Sequence, residues 1–179
     1  MRLALFEESG GVQLSGPGEI VYDLEAGAAH VAPARVDGPA LRWALGDDDA
    51  SGANLAAEVE LDPGTEWLMR CDRVDFGPGG VAYRHTHPGP GIRRLLFGEI
   101  TIDSEERVEI YAAGQAWFER GPDPVLATTA ADEPSAFVRV MLVPAELAGQ
   151  RTIRYVDPAD AEKPKTQRAT IFLEEPVAR

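Results

Sequence analysis

Residues 79–91 of the chain read Gly-Gly-Val-Ala-Tyr-Arg-His-Thr-His-Pro-Gly-Pro-Gly, and this stretch decides how the rest of the sequence is interpreted. Glycine and proline enclose a segment of strand length, so the pattern predicts a β-strand over residues 81–87. Side chains alternate across a strand, which places Tyr83, His85 and His87 on one face. The sequence therefore predicts two imidazoles side by side where this strand ends.

The surrounding sequence has the same character, because its 18 glycines and 14 prolines separate short segments that are too short for long helices. Strand signals that recur about every 8–12 residues are typical of a β-sandwich or a small barrel. We therefore predict an all-β chain. The predicted strands are residues 2–6, 19–24, 66–76, 81–87, 92–103 with a break at Gly98, 107–111, 116–119, 125–129, 136–143 and 169–173.

Composition excludes several classes of protein. The 179 residues carry 17 Lys and Arg against 30 Asp and Glu, a net charge of −13, which disfavours binding to a phosphate backbone. No stretch approaches the ~20 apolar residues of a membrane span, and the start of the chain lacks a signal-peptide core. With Cys71 as the only cysteine, we expect a cytoplasmic protein that binds neither nucleic acid nor membrane.

The three aspartates in residues 46–52 predict a solvated loop.

The pair His85 and His87 is a candidate metal site. Two imidazoles on one face of a strand can converge on one divalent ion, and imidazole suits Zn, Cu, Fe and Ni. The alternative is two histidines at a strand end whose nitrogens are satisfied by backbone or water. The His-x-His pattern alone leaves both interpretations open.

Residues 79–100 resemble the first motif of the cupin superfamily, which has a glycine, a His-x-His pair, a carboxylate a few residues later and a glycine at the next turn. A second cupin-like stretch follows at residues 114–124, and the resemblance covers about residues 66–145. It implies a cupin double-stranded β-helix, that is, a jelly-roll barrel of antiparallel strands with a pocket at one mouth.

The resemblance also implies an organisation for the whole chain, which we expect to form one domain. Residues 66–145 correspond to the barrel core, residues 1–65 to N-terminal strands and loops that pack on the barrel, and residues 146–179 to a C-terminal extension. Cupins frequently dimerise through extended or exchanged terminal strands, which covers exposed sheet edges. We therefore expect a homodimer in which the strand at residues 171–173 packs on a sheet.

The chain departs from the cupin pattern at two of the four positions where metal-binding cupins typically hold their ligands. Gly91 stands where the glutamate of the first motif is expected, and Val125 or a neighbour stands where the second motif has its histidine. Glu119 is the candidate that could complete a site with two histidines and one carboxylate. The resemblance thus predicts, at most, a weak or incomplete site for one divalent ion such as Zn, Fe, Mn or Ni.

Arg93 suggests a different chemistry. Strand alternation sends either Arg93 or Arg94 into the barrel, and an inward guanidinium beside neutral imidazoles could bind a carboxylate or phosphate while disfavouring a cation. The alternative is an ordinary ion pair with a neighbouring acid such as Asp75 or Glu109. By the same alternation of side chains, Tyr83 and Trp117 are candidates for the pocket wall, although aromatic residues of a small barrel often belong to the hydrophobic core.

Three functions remain open on the sequence alone. The barrel holds a divalent metal through His85 and His87, with or without enzymatic activity. Alternatively, it is a metal-free module that binds a small anionic molecule with Arg93 and the two histidines. In the third interpretation the barrel has no occupied site and serves in assembly. A resemblance in fold predicts that a pocket is present but does not predict which reaction, if any, takes place in it.

The expected homodimer can be measured directly. Light scattering on the purified chain at tens of micromolar should give twice the mass of one chain, because paired terminal strands protect otherwise exposed sheet edges. A monomer at that concentration would contradict the expectation.

Overall fold

The computed structural model describes residues 1–47, 50–104 and 106–178, and within these ranges the chain forms seventeen β-strands and two short 3-10 helices. The helices are Ala145–Leu147 and Pro158–Ala161. The strands are β1 (Arg2–Glu8), β2 (Val12–Leu14), β3 (Glu19–Asp23), β4 (Ala28–Val31), β5 (Ala34–Val36), β6 (Ala40–Gly46), β7 (Leu55–Glu58), β8 (Trp67–Phe76), β9 (Val81–Thr86), β10 (Gly91–Phe97), β11 (Glu99–Ser104), β12 (Val108–Ala112), β13 (Ala116–Glu119), β14 (Val125–Thr129), β15 (Ser135–Pro144), β16 (Arg154–Tyr155) and β17 (Gln167–Pro176).

The all-β prediction is confirmed, and each strand predicted within residues 66–145 is present. The predicted break at Gly98 separates β10 from β11. Gly98 has φ of +77°, and a Cβ at this position would lie 2.3 Å from the Oγ of Ser135, so the turn requires glycine. In the predicted acidic loop at residues 46–52, Asp48 and Asp49 lie outside the described residues.

The strands β8 to β15 form a jelly roll. They are divided between two antiparallel sheets, with the order β13-β10-β15-β8 in one and β12-β11-β14-β9 in the other. This order is that of two Greek keys folded face to face. The extension adds one strand to each sheet, because β17 pairs with β8 and β16 pairs with β9. We call the sheet that contains β8 the middle sheet and the sheet that contains β9 the front sheet.

Residues 1–58 contribute a third layer. Here β4-β3-β6-β1-β7 form an antiparallel sheet, the N-terminal sheet, while β2 and β5 pair as a separate ribbon. The N-terminal sheet packs its apolar face on the outer face of the middle sheet, and the indole nitrogen of Trp43 donates a hydrogen bond to the carbonyl of Ile92 at 3.2 Å. The fully buried residues of this interface include Leu3, Leu5, Ile20, Leu41, Met69, Cys71, Val140 and Leu142.

The strand β15 lies in the centre of this three-layer arrangement and is buried on both faces. Val138 and Val140 point to the N-terminal sheet, whereas Phe137 and Arg139 point toward the front sheet. Burial on both faces explains why residues 136–143 are apolar almost without interruption. Arg139 is the exception.

Among the described residues, no helix has the length and apolar character needed to cross a membrane.

The interface between the N-terminal and middle sheets should dominate the stability of the chain. The substitution Leu3→Ala removes a side chain with no exposed surface, and we expect it to lower the free energy of unfolding by about 2–5 kcal/mol. Urea denaturation measures this change. Val108→Ala is the control, because Val108 is 65% exposed on the edge strand β12 and its loss should change stability by about 0.5 kcal/mol or less. Similar losses for the two variants would show that the third layer contributes little.

Candidate functional site

A cavity of about 480 Å³ lies between the middle and front sheets. This volume is within the range of about 300–1,000 Å³ that is usual for small-molecule sites. Most of its surface is apolar. Its polar lining residues are Arg70, Asp72, His85, His87, Glu119, Arg139, Gln150, Arg151, Thr152, Lys165 and Gln167. The apolar lining comes from Val74, Phe76, Ala82, Ile102, Trp117, Val125, Ala127 and Phe137, and Ile171 of the C-terminal strand completes the wall.

One row of the middle sheet carries three charged side chains together with Trp117. Trp117, Arg93, Arg139 and Asp72 lie opposite one another on β13, β10, β15 and β8, so their side chains project from the same face of the sheet. Two residues further along β8 and β15, the lining changes to Val74 and Phe137. The boundary between charged and apolar lining therefore follows the strand register.

The front sheet brings the two histidines to this row. His85 lies near the end of β9, and His87 follows it where its backbone N–H donates to the carbonyl of Gly121 at 2.7 Å. Both side chains are buried, and their Nε2 atoms lie 3.2 Å apart. The predicted convergence of the two imidazoles on the interior of the barrel is thus present.

The hydrogen-bond partners assign the protons of the two rings. His85 Nδ1 lies 2.7 Å from the carbonyl oxygen of Tyr83, which can only accept, so Nδ1 carries the hydrogen and Nε2 of the neutral ring has a lone pair. His87 Nε2 lies 3.2 Å from Nη1 of Arg139, which can only donate. The neutral rings therefore direct two lone pairs toward the same small volume.

Arg139 is held by Asp72. Its Nε donates to Asp72 Oδ1 at 2.6 Å and its Nη2 donates to Oδ2 at 3.1 Å, which is a bidentate pair between two buried side chains. The third nitrogen, Nη1, faces His87. Asp72 thereby neutralises the guanidinium and fixes its direction at the same time.

A second buried pair lies beside the first. Arg93 Nη2 is 2.8 Å from Glu119 Oε2, and Arg93 Nη1 donates to the carbonyl of Gly91 at 2.6 Å. The other carboxylate oxygen of Glu119 accepts a hydrogen bond from the indole of Trp117 at 2.8 Å. Burial lowers the pKa of Arg93 to about 10, with Glu119 opposing the shift, so Arg93 stays charged at neutral pH.

The two imidazoles are held neutral by their surroundings. Burial lowers the pKa of His87 well below its usual value of 6.5, and the positive charges of Arg139 and Arg93 add to the effect. Burial also lowers the pKa of His85, although the carboxylate of Glu119 acts in the opposite direction. At neutral pH both rings therefore act as hydrogen-bond acceptors through Nε2.

Not every predicted site residue reaches the cavity. His85, His87, Glu119 and Trp117 line it, whereas Tyr83 does not. The strict alternation expected along β9 is wrong, because the pairing with β14 shifts between Val125↔His85 and Ala127↔Ala82, and this irregularity changes the face of the residues between them. The ring of Tyr83 instead lies under Lys163, whose Nζ is 4.4 Å from the ring centroid.

Strand alternation predicts that one of Arg93 and Arg94 points into the barrel. Arg93 is the one that is buried there, but it does not line the cavity. Its partner is Glu119, and the alternative pairing with Asp75 or Glu109 is not found, because those acids pair with Arg73 and Arg107. Arg94 points the other way and donates to Glu7 of the N-terminal sheet at 2.7 Å. Arg139 is an inward arginine that does line the cavity, as do Arg70 and Arg151.

Sequence reasoning missed Arg139 and Asp72. The signal for Arg139 was available, because a charged residue inside the apolar run of residues 136–143 must be paired if that run is buried. Asp72 could not be named as its partner without the register of β8 against β15.

The residues present do not fit the divalent metal that the cupin resemblance implies. The two Nε2 atoms are spaced as two ligands of one ion could be, but no group of three His, Cys, Asp or Glu within the described part of the chain could hold a metal. Glu119 Oε2 lies 3.9 Å from His87 Nε2 and pairs with Arg93, while Arg139 donates to the lone pair of His87.

The two positions where the cupin pattern has its other ligands hold apolar packing instead. At Gly91, where the cupin pattern has glutamate, a Cβ would lie 2.7–2.8 Å from Met141 and Val140 of the neighbouring strand. Val125 faces the cavity opposite His85 and presents an apolar side chain at the position of the expected histidine. Both positions favour close packing over metal ligation.

Neither a protein-family model nor a curated protein matches the sequence. Solved structures similar to this chain include a cupin-like protein of Thermotoga maritima, with 16% identity and a TM-score of 0.41 over 61% of this chain and 96% of that one. An RmlC-like cupin of Shewanella frigidimarina has 16% identity and a TM-score of 0.38 over 50% and 86% of the two chains. The polyketide cyclase RemF of Streptomyces resistomycificus has 19% identity and a TM-score of 0.40 over 54% and 64%, so the match spans less than two thirds of that protein.

Two of these structures are described as cupins. Likenesses of this extent concern the fold and say nothing about what this chain binds.

The buried pair should be essential for folding. Asp72→Asn leaves Arg139 charged and without its carboxylate, and we expect it to lower the free energy of unfolding by about 3–5 kcal/mol. Glu8→Gln is the matched control, because the Arg42–Glu8 pair is more exposed and Arg42 keeps Glu19 as a second partner, so its loss should amount to about 1 kcal/mol or less. Denaturant titration measures both, and equal losses would contradict the assigned importance of the buried pair.

The neutral imidazoles predict a pH dependence of stability. Because burial lowers the pKa of His85 and His87 below 6.5, the unfolded chain binds more protons than the folded chain as the pH drops beneath that value. The stability that this pair contributes is fully present above about pH 6.5 and is lost as the pH falls toward the lowered pKa values.

Urea unfolding between about pH 7.5 and 5 measures this loss. The double variant His85→Gln/His87→Gln should show a shallower dependence than the unmodified chain. His30→Gln, at an exposed position of β4, should not alter it. An unchanged slope in the double variant would contradict the prediction.

Proposed function

We propose that the chain binds a small, largely apolar organic molecule in the cavity between the middle and front sheets, with the polar part of the molecule against His85, His87 and Arg139. The observation that carries this proposal is a cavity of about 480 Å³ in which a cluster of buried polar side chains, formed by His85, His87, Arg139 and Asp72, adjoins apolar walls. Sites for small molecules combine apolar walls with a few convergent polar groups in this way.

The apolar walls offer a rigid surface. Trp117 stacks on Tyr111 with ring centroids 4.9 Å apart and meets the edge of Phe137 at 5.3 Å, so its ring is fixed before any ligand enters. A wall that is already ordered loses little conformational entropy on binding. This favours a cyclic or aromatic body that can lie against Trp117 and Phe137.

The polar cluster favours an organic ligand over a bare metal ion. The donor set lacks a third ligand within the described residues, and Arg139 occupies the lone pair of His87. An anion receptor built on Arg93 is also disfavoured, because Arg93 already pairs with Glu119 and does not line the cavity. Of the arginines that line the cavity, Arg139 is the one that contacts His87.

A thermal-shift screen tests the proposal. Mono- and bicyclic aromatic and alicyclic molecules, each with one polar substituent, should include compounds that raise the melting temperature in a concentration-dependent way, because binding to the folded state alone stabilises it. Ala127→Phe should abolish these shifts, since it places a ring in the cavity.

Leu126→Phe is the matched control. It is the neighbouring residue on β14, it does not line the cavity, and it should leave the shifts in place. A screen without stabilising compounds would favour a barrel that serves only in assembly. Shifts that survive Ala127→Phe would place the binding outside this cavity.

A further inference from the structure

The hydrogen-bonding groups of the polar cluster form an incomplete set. His85 Nε2 lies 3.2 Å from His87 Nε2, whose lone pair accepts from Arg139. His85 Nδ1 is occupied by the carbonyl of Tyr83, so its proton is not available to Nε2. Among the described residues, His85 Nε2 is therefore an acceptor that no donor of the chain satisfies.

Arg139 supplies the complementary group. A guanidinium carries five N–H donors, and three of them are directed to Asp72 and His87. Within the described residues the remaining two have no acceptor. Arg139 Nη1 and His85 Nε2 each lie 3.2 Å from the same atom, His87 Nε2, so an open donor and an open acceptor face one small volume.

We infer that the polar head of the ligand is a single hydroxyl group, carried by an aromatic or alicyclic body. This inference rests on the proposed function and names the class of molecule for the same cavity. The hydroxyl donates its hydrogen to His85 Nε2 and accepts a hydrogen bond from Arg139. A hydroxyl suits this site because it is both a donor and an acceptor.

Other common head groups match less well. A carboxylate only accepts, so it leaves His85 Nε2 unsatisfied, and it meets Glu119, whose Oε2 lies 3.9 Å from His87 Nε2. An ammonium group donates to His85 but leaves the N–H groups of Arg139 without an acceptor and places a cation beside a guanidinium. A methyl ether has no hydrogen to donate. Selectivity for the hydroxyl thus follows from the groups that each alternative leaves unpaired.

Three rigid probes of the same body separate these cases: 2-naphthol, 2-methoxynaphthalene and 2-naphthoate. Calorimetric titration of the full chain at neutral pH should give a dissociation constant for 2-naphthol roughly tenfold or more below those of the ether and the carboxylate. In His85→Phe the preference for 2-naphthol over the ether should disappear, because the ring is kept and the acceptor is removed.

Ile102→Val is the control variant, since it trims the apolar lining. It should weaken all three probes alike and keep the preference for the hydroxyl. His85→Leu also removes the acceptor, with a smaller side chain, and serves as the second variant if His85→Phe does not fold. The three-probe comparison on the unmodified chain stands without either variant.

The outcomes are distinct. Equal affinity for 2-naphthol and its ether overturns the hydroxyl assignment while the cavity proposal stands. Strongest binding of 2-naphthoate also overturns it and identifies an anion receptor. If both variants of His85 still prefer 2-naphthol over its ether, a group other than His85 accepts the hydrogen bond from the hydroxyl. If no probe binds and the thermal-shift screen also yields no compound, the proposed function fails and this inference fails with it.

Discussion

Charge inside an apolar barrel is the constraint on which the rest of the structure depends. Arg139 projects into the space between two sheets, and a buried guanidinium is tolerated only when it is paired and hydrogen-bonded. Asp72, opposite Arg139 in the register of β8 and β15, meets this requirement with two hydrogen bonds. The pair fixes the direction of Nη1, and Nη1 in turn determines which nitrogen of His87 keeps a lone pair. The chemistry of the polar cluster is therefore a consequence of strand register.

The N-terminal sheet is needed because the middle sheet also carries apolar side chains on the face that points away from the cavity, among them Met69, Val138 and Val140. A two-sheet jelly roll leaves that face in water, whereas the N-terminal sheet covers it and buries Trp43 between the layers. The N-terminal sheet thus packs against the face of the middle sheet that is opposite the cavity. This packing keeps the row of Trp117, Arg93, Arg139 and Asp72 in register.

Much of the fold could be predicted because its determinants are local. Turn residues bound each strand of the barrel, and Gly98 stands where only glycine fits. The convergence of His85 and His87 followed from strand periodicity, but the same periodicity misplaced Tyr83, since an irregular pairing with β14 leaves no mark in the sequence of β9. The pairing of Arg93 with Glu119 could likewise not be predicted from the sequence. Glu119 lies 26 residues further along the chain, and only the pairing of β10 with β13 brings the two together.

The strand β17 pairs with β8 at the margin of the middle sheet and also contributes Ile171 to the wall of the cavity. One side of the cavity therefore depends on β17 staying paired with β8, and separation of this strand alone would expose the apolar interior to water.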